Sequence, residues 1–200
     1  MANDTLTPRS PFHGVSLVSA QRHGIVATDR DGLGLATVLV RKDHRIAIGA
    51  RVRNLFGIDM PNEPTYQAVG DVAFAGTAPG TWLVMREAGG NAFATSLEAD
   101  IGDLASVSDQ SSGYAVLRLT GPKVRDVLAK IVPIDLHART FPTGRVAATI
   151  VSHMGAILWR LEDTAEGSVV FELAVFRSFA ASLWHDLSEA AAEFGPAARA

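Results

Sequence analysis

The sequence predicts an α+β protein made of two similar βαββα-type halves, with mixed or antiparallel sheets and helices packed on one side. Three observations carry this reading. Short apolar or two-residue alternating runs come in groups, and each group is followed by the i, i+3, i+4, i+7 spacing of an amphipathic helix. The groups recur in one order in both halves: strand, helix, two or three strands, helix. The closing segments, Trp82-Leu-Val-Met-Arg-Glu87 before a helix with Leu97 and Phe171-Glu-Leu-Ala-Val-Phe-Arg177 before a helix with Leu187, look like one unit used twice. Helices alternate with groups of strands rather than with single strands, so a doubly wound parallel sheet fits less well. The expected division is a flexible tail over 1–14, a first half over 15–107 and a second over 108–200, together forming one domain.

The tail holds Asn3, Asp4, Pro8 and Pro11, which favour turns and offer little to bury. Ile25–Ala27 and Gly34–Arg41 read as strands, the second almost continuously apolar, as in a strand covered on both faces. Asp43 stands where a helix cap is wanted. Ile48, Val52, Leu55 and Phe56 give that helix its stripe, and Gly57 closes it in a left-handed position. Asp59–Pro64 contains two prolines and must be a loop. Val72–Gly76 and Trp82–Glu87 are strands joined through a turn at Ala78-Pro-Gly80. Gly89-Gly90 ends the pair, and Phe93, Leu97, Ile101 and Leu104 mark the next helix.

In the second half Tyr114–Leu119 alternates at a period of two. Gly121-Pro122 then turns the chain, with proline at a first helical position where its missing N–H has no intrahelical partner to lose. Val124, Val127, Leu128 and Ile131 form one apolar face, while Lys123, Arg125, Asp126 and Lys130 face water. Val146–Val151 and Ala156–Leu161 read as strands around Gly155, and Val169–Phe176 is another. The last helix carries Ala180, Leu183, Trp184, Leu187, Ala191 and Phe194 on one face; Ser178 stands at its start and Gly195-Pro196 at its end.

Apolar residues make up 48% of the 200 positions, charged ones 20%, and the formal net charge is -3, the balance of a globular chain with no basic surplus for nucleic acid or an anionic membrane. Cysteine is absent, which excludes a disulfide framework, a thiolate zinc site and a cysteine nucleophile. The first 14 residues have no apolar signal core, and no run of about 18 apolar residues suggests a membrane span. The cytoplasm is the expected compartment.

Candidate chemistry is sparse. None of the six histidines, at 13, 23, 44, 137, 153 and 185, pairs at helix-ligand spacing, and no HExxH motif occurs. His137 lies in a loop between Asp135 and Arg139, where holding the turn or a partner surface is the simpler role, because no nucleophile is placed beside it. Gly32-Leu-Gly34 precedes a strand instead of opening a helix, the wrong context for a dinucleotide loop. Ser108-Asp-Gln-Ser-Ser112 lacks a nucleophile elbow and reads as a polar turn. Trp82, Trp159 and Trp184 sit in apolar patterns that favour core or subunit contact. Arg41, Lys42, Arg45, Arg51 and Arg53 make a local positive patch, compatible with a solvated helix face or an anion contact. The residues thus offer no catalytic, cofactor or metal site, and a structural partner of other chains is the reading they support.

Three segments add a resemblance. Arg118-Leu-Thr-Gly-Pro-Lys-Val-Arg-Asp-Val-Leu-Ala-Lys130, Pro133-Ile-Asp-Leu-His-Ala-Arg-Thr-Phe-Pro-Thr-Gly144 and Arg177-Ser-Phe-Ala-Ala-Ser-Leu-Trp184 are similar to the gamma subunit family of heterotetrameric sarcosine oxidase, with further matches at Arg9-Ser-Pro-Phe12, Leu55–Pro64 and Ser108-Asp-Gln-Ser111. The resemblance implies a complex with alpha, beta and delta subunits that oxidatively demethylates sarcosine to glycine, with oxygen as electron acceptor and tetrahydrofolate as one-carbon acceptor. It implies that FAD, FMN, NAD and tetrahydrofolate sit on the larger subunits and zinc on the smallest. This chain would carry none of them and would serve assembly, with Asp135, Leu136, His137, Arg139, Phe141, Pro142 and Gly144 as an interface or structural loop. The pattern also resembles the folate-binding domain of the glycine-cleavage aminomethyltransferase, which implies a folate-binding-domain-like fold and a rival function as a stand-alone folate enzyme. The strand after Gly155 departs from that family: it reads Ala-Ile-Leu-Trp-Arg160 where the aminomethyltransferase carries acidic residues, and Leu158 and Trp159 cannot exchange protons. A free-standing binding module is the third possibility.

Overall fold

The computed structural model describes residues 9–13 and 24–194. The order of elements is β1 (Val26–Asp29), β2 (Gly34–Val40), α1 (Arg45–Phe56), β3 (Tyr66–Val69), β4 (Val72–Ala78), β5 (Thr81–Arg86), α2 (Ala92–Ile101), β6 (Ala105–Asp109), β7 (Tyr114–Thr120), α3 (Val124–Ile131), β8 (Val146–Val151), β9 (Met154–Arg160), β10 (Val170–Phe176) and α4 (Ala180–Ala191). The expected α+β class is observed. Two five-stranded antiparallel sheets form, one ordered β3-β4-β5-β2-β6 and the other β8-β9-β10-β7-β1.

The two orders are the same once equivalent strands are matched. In each sheet a strand, helix and strand are split by a third strand between them (β2-α1-β4 around β5, β7-α3-β9 around β10), the ferredoxin-like arrangement. The similar closing segments read from the sequence are β5-α2 and β10-α4, in equivalent places. The fifth strand differs in origin. β6 follows its half, whereas β1 precedes both halves and pairs with β7, from Val26 opposite Thr120 to Asp29 opposite Leu117.

Alternation of side chains explains the layers. On β7, Ala115, Leu117 and Leu119 turn toward α3 and α4, where Val127, Leu128, Leu183 and Leu187 complete a buried cluster. Val116, between them, turns the other way and meets Trp159, Ala174, Leu35 and Leu83 in a cluster between the sheets. Ala36, Val38 and Phe74 face α1 and α2. Helices therefore cover the outer face of each sheet, and the inner faces pack on each other.

Several local expectations are corrected. Asp43 is not a cap: it adopts φ 66, a left-handed turn position that Asp tolerates, and His44 occupies the cap without a side-chain hydrogen bond. Pro122 stays in the turn; Lys123 caps α3, which starts at Val124. The β8–β9 turn is at Ser152-His153, with Ser152 at φ 52, and Gly155 lies inside β9. Ser178 sits in a 3-10 turn, Arg177–Phe179, ahead of α4. Leu104 is buried beyond the end of α2. β3 is an additional strand that the sequence does not signal, because an edge strand with mostly exposed side chains carries no burial period. β6 covers the first part of the supposed polar turn and crosses the expected boundary between halves. Residues 9–13, expected within a loose tail, are pinned: Phe12 is buried, the Ser10 hydroxyl donates to Asp29, and Arg177 donates to the Arg9 carbonyl. Gly57 does cap α1, at φ 69 with its N–H on the Arg53 carbonyl; Gly195-Pro196 lies outside the described residues.

Candidate functional site

The polar centre of the molecule lies between the sheets. On β10 the outward residues Phe171, Leu173 and Val175 alternate with Glu172 and Ala174, so Glu172 points into the inter-sheet layer and is 2% exposed. Its register neighbours are Arg118 on β7 and Trp159 on β9. Arg118 Nε donates to Glu172 Oε1 at 2.8 Å, with Nη2 at the same distance; Arg30 Nε donates to that oxygen at 2.7 Å; and the Trp159 indole N–H donates to Oε2 at 2.9 Å. Arg30 also pairs with Glu87, in the turn just after β5 of the other sheet. Two cations and two anions thus balance. Tyr66 stacks on Trp159 with ring centroids 6.4 Å apart and planes 8° from parallel. Its phenol is pushed up to about 12, first by burial and then by the negative charges of Glu172 and Glu87.

A carboxylate offers about four acceptor positions, and the N–H groups around Glu172 occupy both of its oxygens. An open cleft of about 520 Å³ lies against the Tyr66–Ala68 edge and the outer side of Arg118, with Thr120, Thr143 and Arg160 among its walls. Sequence reading missed this network, although one signal was present: Glu172 interrupts the apolar run Val170-Phe-Glu-Leu-Ala-Val175, and a carboxylate there requires partners.

The loop from Pro133 to Gly144 is built as a folded clip. Asp135 accepts from the His137 N–H at 2.8 Å and from the Thr140 hydroxyl at 2.8 Å, and these bonds hold its carboxyl below the usual range. The His137 carbonyl receives the Thr140 and Phe141 N–H groups at 2.9 and 2.8 Å, while its exposed ring only accepts from the Arg139 N–H at 3.3 Å. Leu136 and Phe141 are buried, Phe141 against Phe171 at 6.0 Å, and the Leu136 carbonyl accepts from Arg125. Arg139 and Pro142 are exposed. Gly144, at φ 79, donates to the Arg160 carbonyl at 2.8 Å and accepts from the Tyr66 N–H at 2.7 Å, joining the sheets where Thr65 bridges Arg145. The structure therefore brings Asp135 and His137 together, but anchors the loop through Leu136, Phe141 and Gly144.

The remaining candidates resolve locally. Among the described residues no group of three or more His, Cys, Asp or Glu is arranged to hold a metal. Arg53 pairs with Asp59, Arg51 with Asp103 and the Asp100 carbonyl, Arg45 with Asn62, and Arg41 with the Gly102 carbonyl. The two ion pairs are largely exposed and worth about 0–1 kcal/mol each, and Arg41 and Arg45 meet only neutral oxygens, so the patch is a solvated helix face. Ser111 fastens the turn after β6 to Leu35 and Gly90. Trp82 donates to the Pro61 carbonyl at 2.8 Å, and Leu158 and Trp159 are fully buried. His23 lies outside the described residues.

Two ferredoxin-like halves closed sheet to sheet define a class of protein by its fold, the aminomethyltransferase-like fold. The glycine cleavage system aminomethyltransferase T from Bartonella henselae superposes with a TM-score of 0.63 at 16% identity, covering 86% of this chain and 48% of that one. The sequence model of the "Sarcosine oxidase, gamma subunit family" matches residues 42–193, and the chain belongs to that family. Sarcosine oxidase subunit gamma from Arthrobacter sp. is 36% identical over 80% of this chain and 83% of its own length. The subunit gamma from Corynebacterium sp. (strain U-96) is 31% identical over 98% of each. A chain of the heterotetrameric sarcosine oxidase from Corynebacterium sp. U-96, in complex with pyrrole 2-carboxylate, shares the fold at a TM-score of 0.78 and 24% identity, covering 96% of this chain and 99% of that one.

Proposed function

We propose that the chain is the gamma subunit of a heterotetrameric sarcosine oxidase and serves it by assembly, docking onto alpha, beta and delta subunits without supplying a reacting group. The observation that carries the non-catalytic role is the commitment of Glu172. General acid–base work needs a carboxyl that a substrate can reach, and this acid is 2% exposed with Arg30 and Arg118 on one oxygen and Trp159 on the other. The strand in which a folate enzyme of this fold would need acids presents Leu158 and Trp159, both wholly buried. In this reading FAD, FMN, NAD, zinc and tetrahydrofolate belong to the other subunits, the complex oxidises sarcosine in the cytoplasm, and the chain contributes by holding larger partners in register, a positioning role. The Asp135–Gly144 loop, with His137 and Arg139 at its exposed tip, presents one face for such contacts.

Co-expression with the three other subunits tests the proposal. The chain should co-purify with them through an affinity tag on a partner, and the chain by itself should show no flavin absorbance and no saturable heat on titration with tetrahydrofolate. Micromolar folate binding by the isolated chain would instead favour the stand-alone folate enzyme, and failure to co-purify would overturn the subunit assignment.

A further inference from the structure

The inner faces of the two sheets do not stay closed along their whole length. At the end away from Glu172 they part into an open groove of about 670 Å³, whose walls are Thr37, Thr81 and Leu83 on one sheet and Ala148, Ile150 and Phe176, with their neighbours, on the other. None of its twelve lining residues is charged, in a chain where 20% of residues are. Ile150 is 47% and Phe176 50% exposed, and Ala148 and Gly155 are exposed beside them, although all four lie on the inner face whose Val146, Trp159 and Ala174 are buried. The floor is low: a Cβ built on Gly155 would meet nothing within 4 Å.

The groove runs beside a sheet edge that is only half used. β8 pairs with β9 on one side alone. At the start of its other side this chain already adds a strand to it: Tyr66 N–H donates to the Gly144 carbonyl and Val146 N–H to the Pro64 carbonyl, both at 2.7 Å. Antiparallel alternation then turns the N–H and C=O of Ala148 and Ile150 to that same side. They find no backbone partner among the described residues. An uncharged wall next to free main-chain donors and acceptors is complementary to an extended backbone bearing apolar side chains.

We propose that the groove takes a short extended segment of another subunit, which pairs with β8 along Ala148–Ile150 and places uncharged apolar side chains between the sheets over Gly155. This inference rests on the subunit assignment above and goes beyond it by naming the surface and the mode of attachment. A charged helix or a folded polar surface does not suit the site, because it would strand charge against Leu83, Ile150 and Phe176 and leave the β8 edge unpaired. A partner strand would extend the pairing that residues 64–66 begin.

The test uses the co-expressed complex, with another subunit carrying the tag. Ile150→Arg places a charge in the groove; Ala148→Pro removes an outward donor without touching the β9 ladder, a substitution an edge strand tolerates. Both should lower recovery of this chain with its partners at least tenfold (about, for a loss near 1.4 kcal/mol), while Ala165→Arg, on an exposed turn, should leave recovery unchanged. Hydrogen exchange on the wild-type complex gives a readout independent of variant folding: the 146–151 peptide should exchange more slowly in the complex than in the free chain. If the wild-type chain is recovered and the peptide gains no protection, or both variants assemble normally, the groove assignment is overturned while the subunit assignment stands. If the wild-type chain itself is not recovered, both fall.

Discussion

Replacing Glu172 by glutamine tests the claim that a neutral ion network rivets the two sheets. The substitution keeps shape and removes one charge, so Arg118 loses its counter-ion while Arg30 retains Glu87. Breaking one partner of a buried pair costs about 3–5 kcal/mol. The Arg118 side chain is 36% exposed and can recover some hydration, which places the expected loss at the lower end, about 3 kcal/mol. For a chain of this size each kcal/mol moves the midpoint by about 2–4 °C, so thermal unfolding should shift down by about 6–12 °C. Circular dichroism follows the transition, and tryptophan fluorescence reports locally because the Trp159 indole N–H must then compete with the two arginines for the single acceptor oxygen of glutamine. A double variant, Glu172→Gln with Arg118→Gln, should regain part of the loss, since the stranded cation is gone. A midpoint within about 1 °C of wild type for the single variant, or strictly additive losses in the double, would refute the reasoning.

Three further outcomes are expected. The Tyr66 phenol has a folded value near 12 against an ordinary 10; the folded state then holds its proton more tightly, so this contribution to stability is complete below pH 10 and lost as pH rises through 10–12, a slope that spectrophotometric titration should detect and Tyr66→Phe should remove. A Cβ at Gly76 would stand 2.5 Å from the Glu63 carbonyl oxygen, so Gly76→Ala should cost about 1–3 kcal/mol in urea unfolding by forcing apart the strand segment that joins the sheets. In the Asp135–Gly144 loop, Leu136→Ala should cost about 2–5 kcal/mol because its side chain is buried. His137→Ala should stay within about 0.5 kcal/mol, since the turn bonds run through its backbone carbonyl; equal losses from the two would show that the ring, not the buried anchor, holds the loop.

Period and punctuation made most of the fold legible. The alternation of Tyr114–Leu119, the stripe of Val124, Val127, Leu128 and Ile131, and the repeated closing units each report which side of an element is buried, and burial is a property that local spacing encodes. Gly57 was readable for a similar reason, because a helix stop needs a residue that accepts positive φ. The Pro133–Gly144 loop could be singled out by its residues, yet its hydrogen bonds and its buried anchors could not. β1 illustrates a deeper limit: nothing in Val26–Asp29 says whether it adds to the nearer sheet or pairs with β7, whose Leu117–Thr120 lies far along the chain, since either partner would satisfy the same backbone groups.

Local spacing along the chain is enough to establish two repeated α+β halves, and the absence of cysteine and of compact ligand motifs by itself narrows the chemistry. Tertiary packing settled the fate of the charges. Arg30, Arg118 and Glu172 are 142 and 54 positions apart in their pairings and carry no common local signature; they meet because two sheets close face to face, and a buried carboxylate persists only where that closure delivers enough donors to replace water.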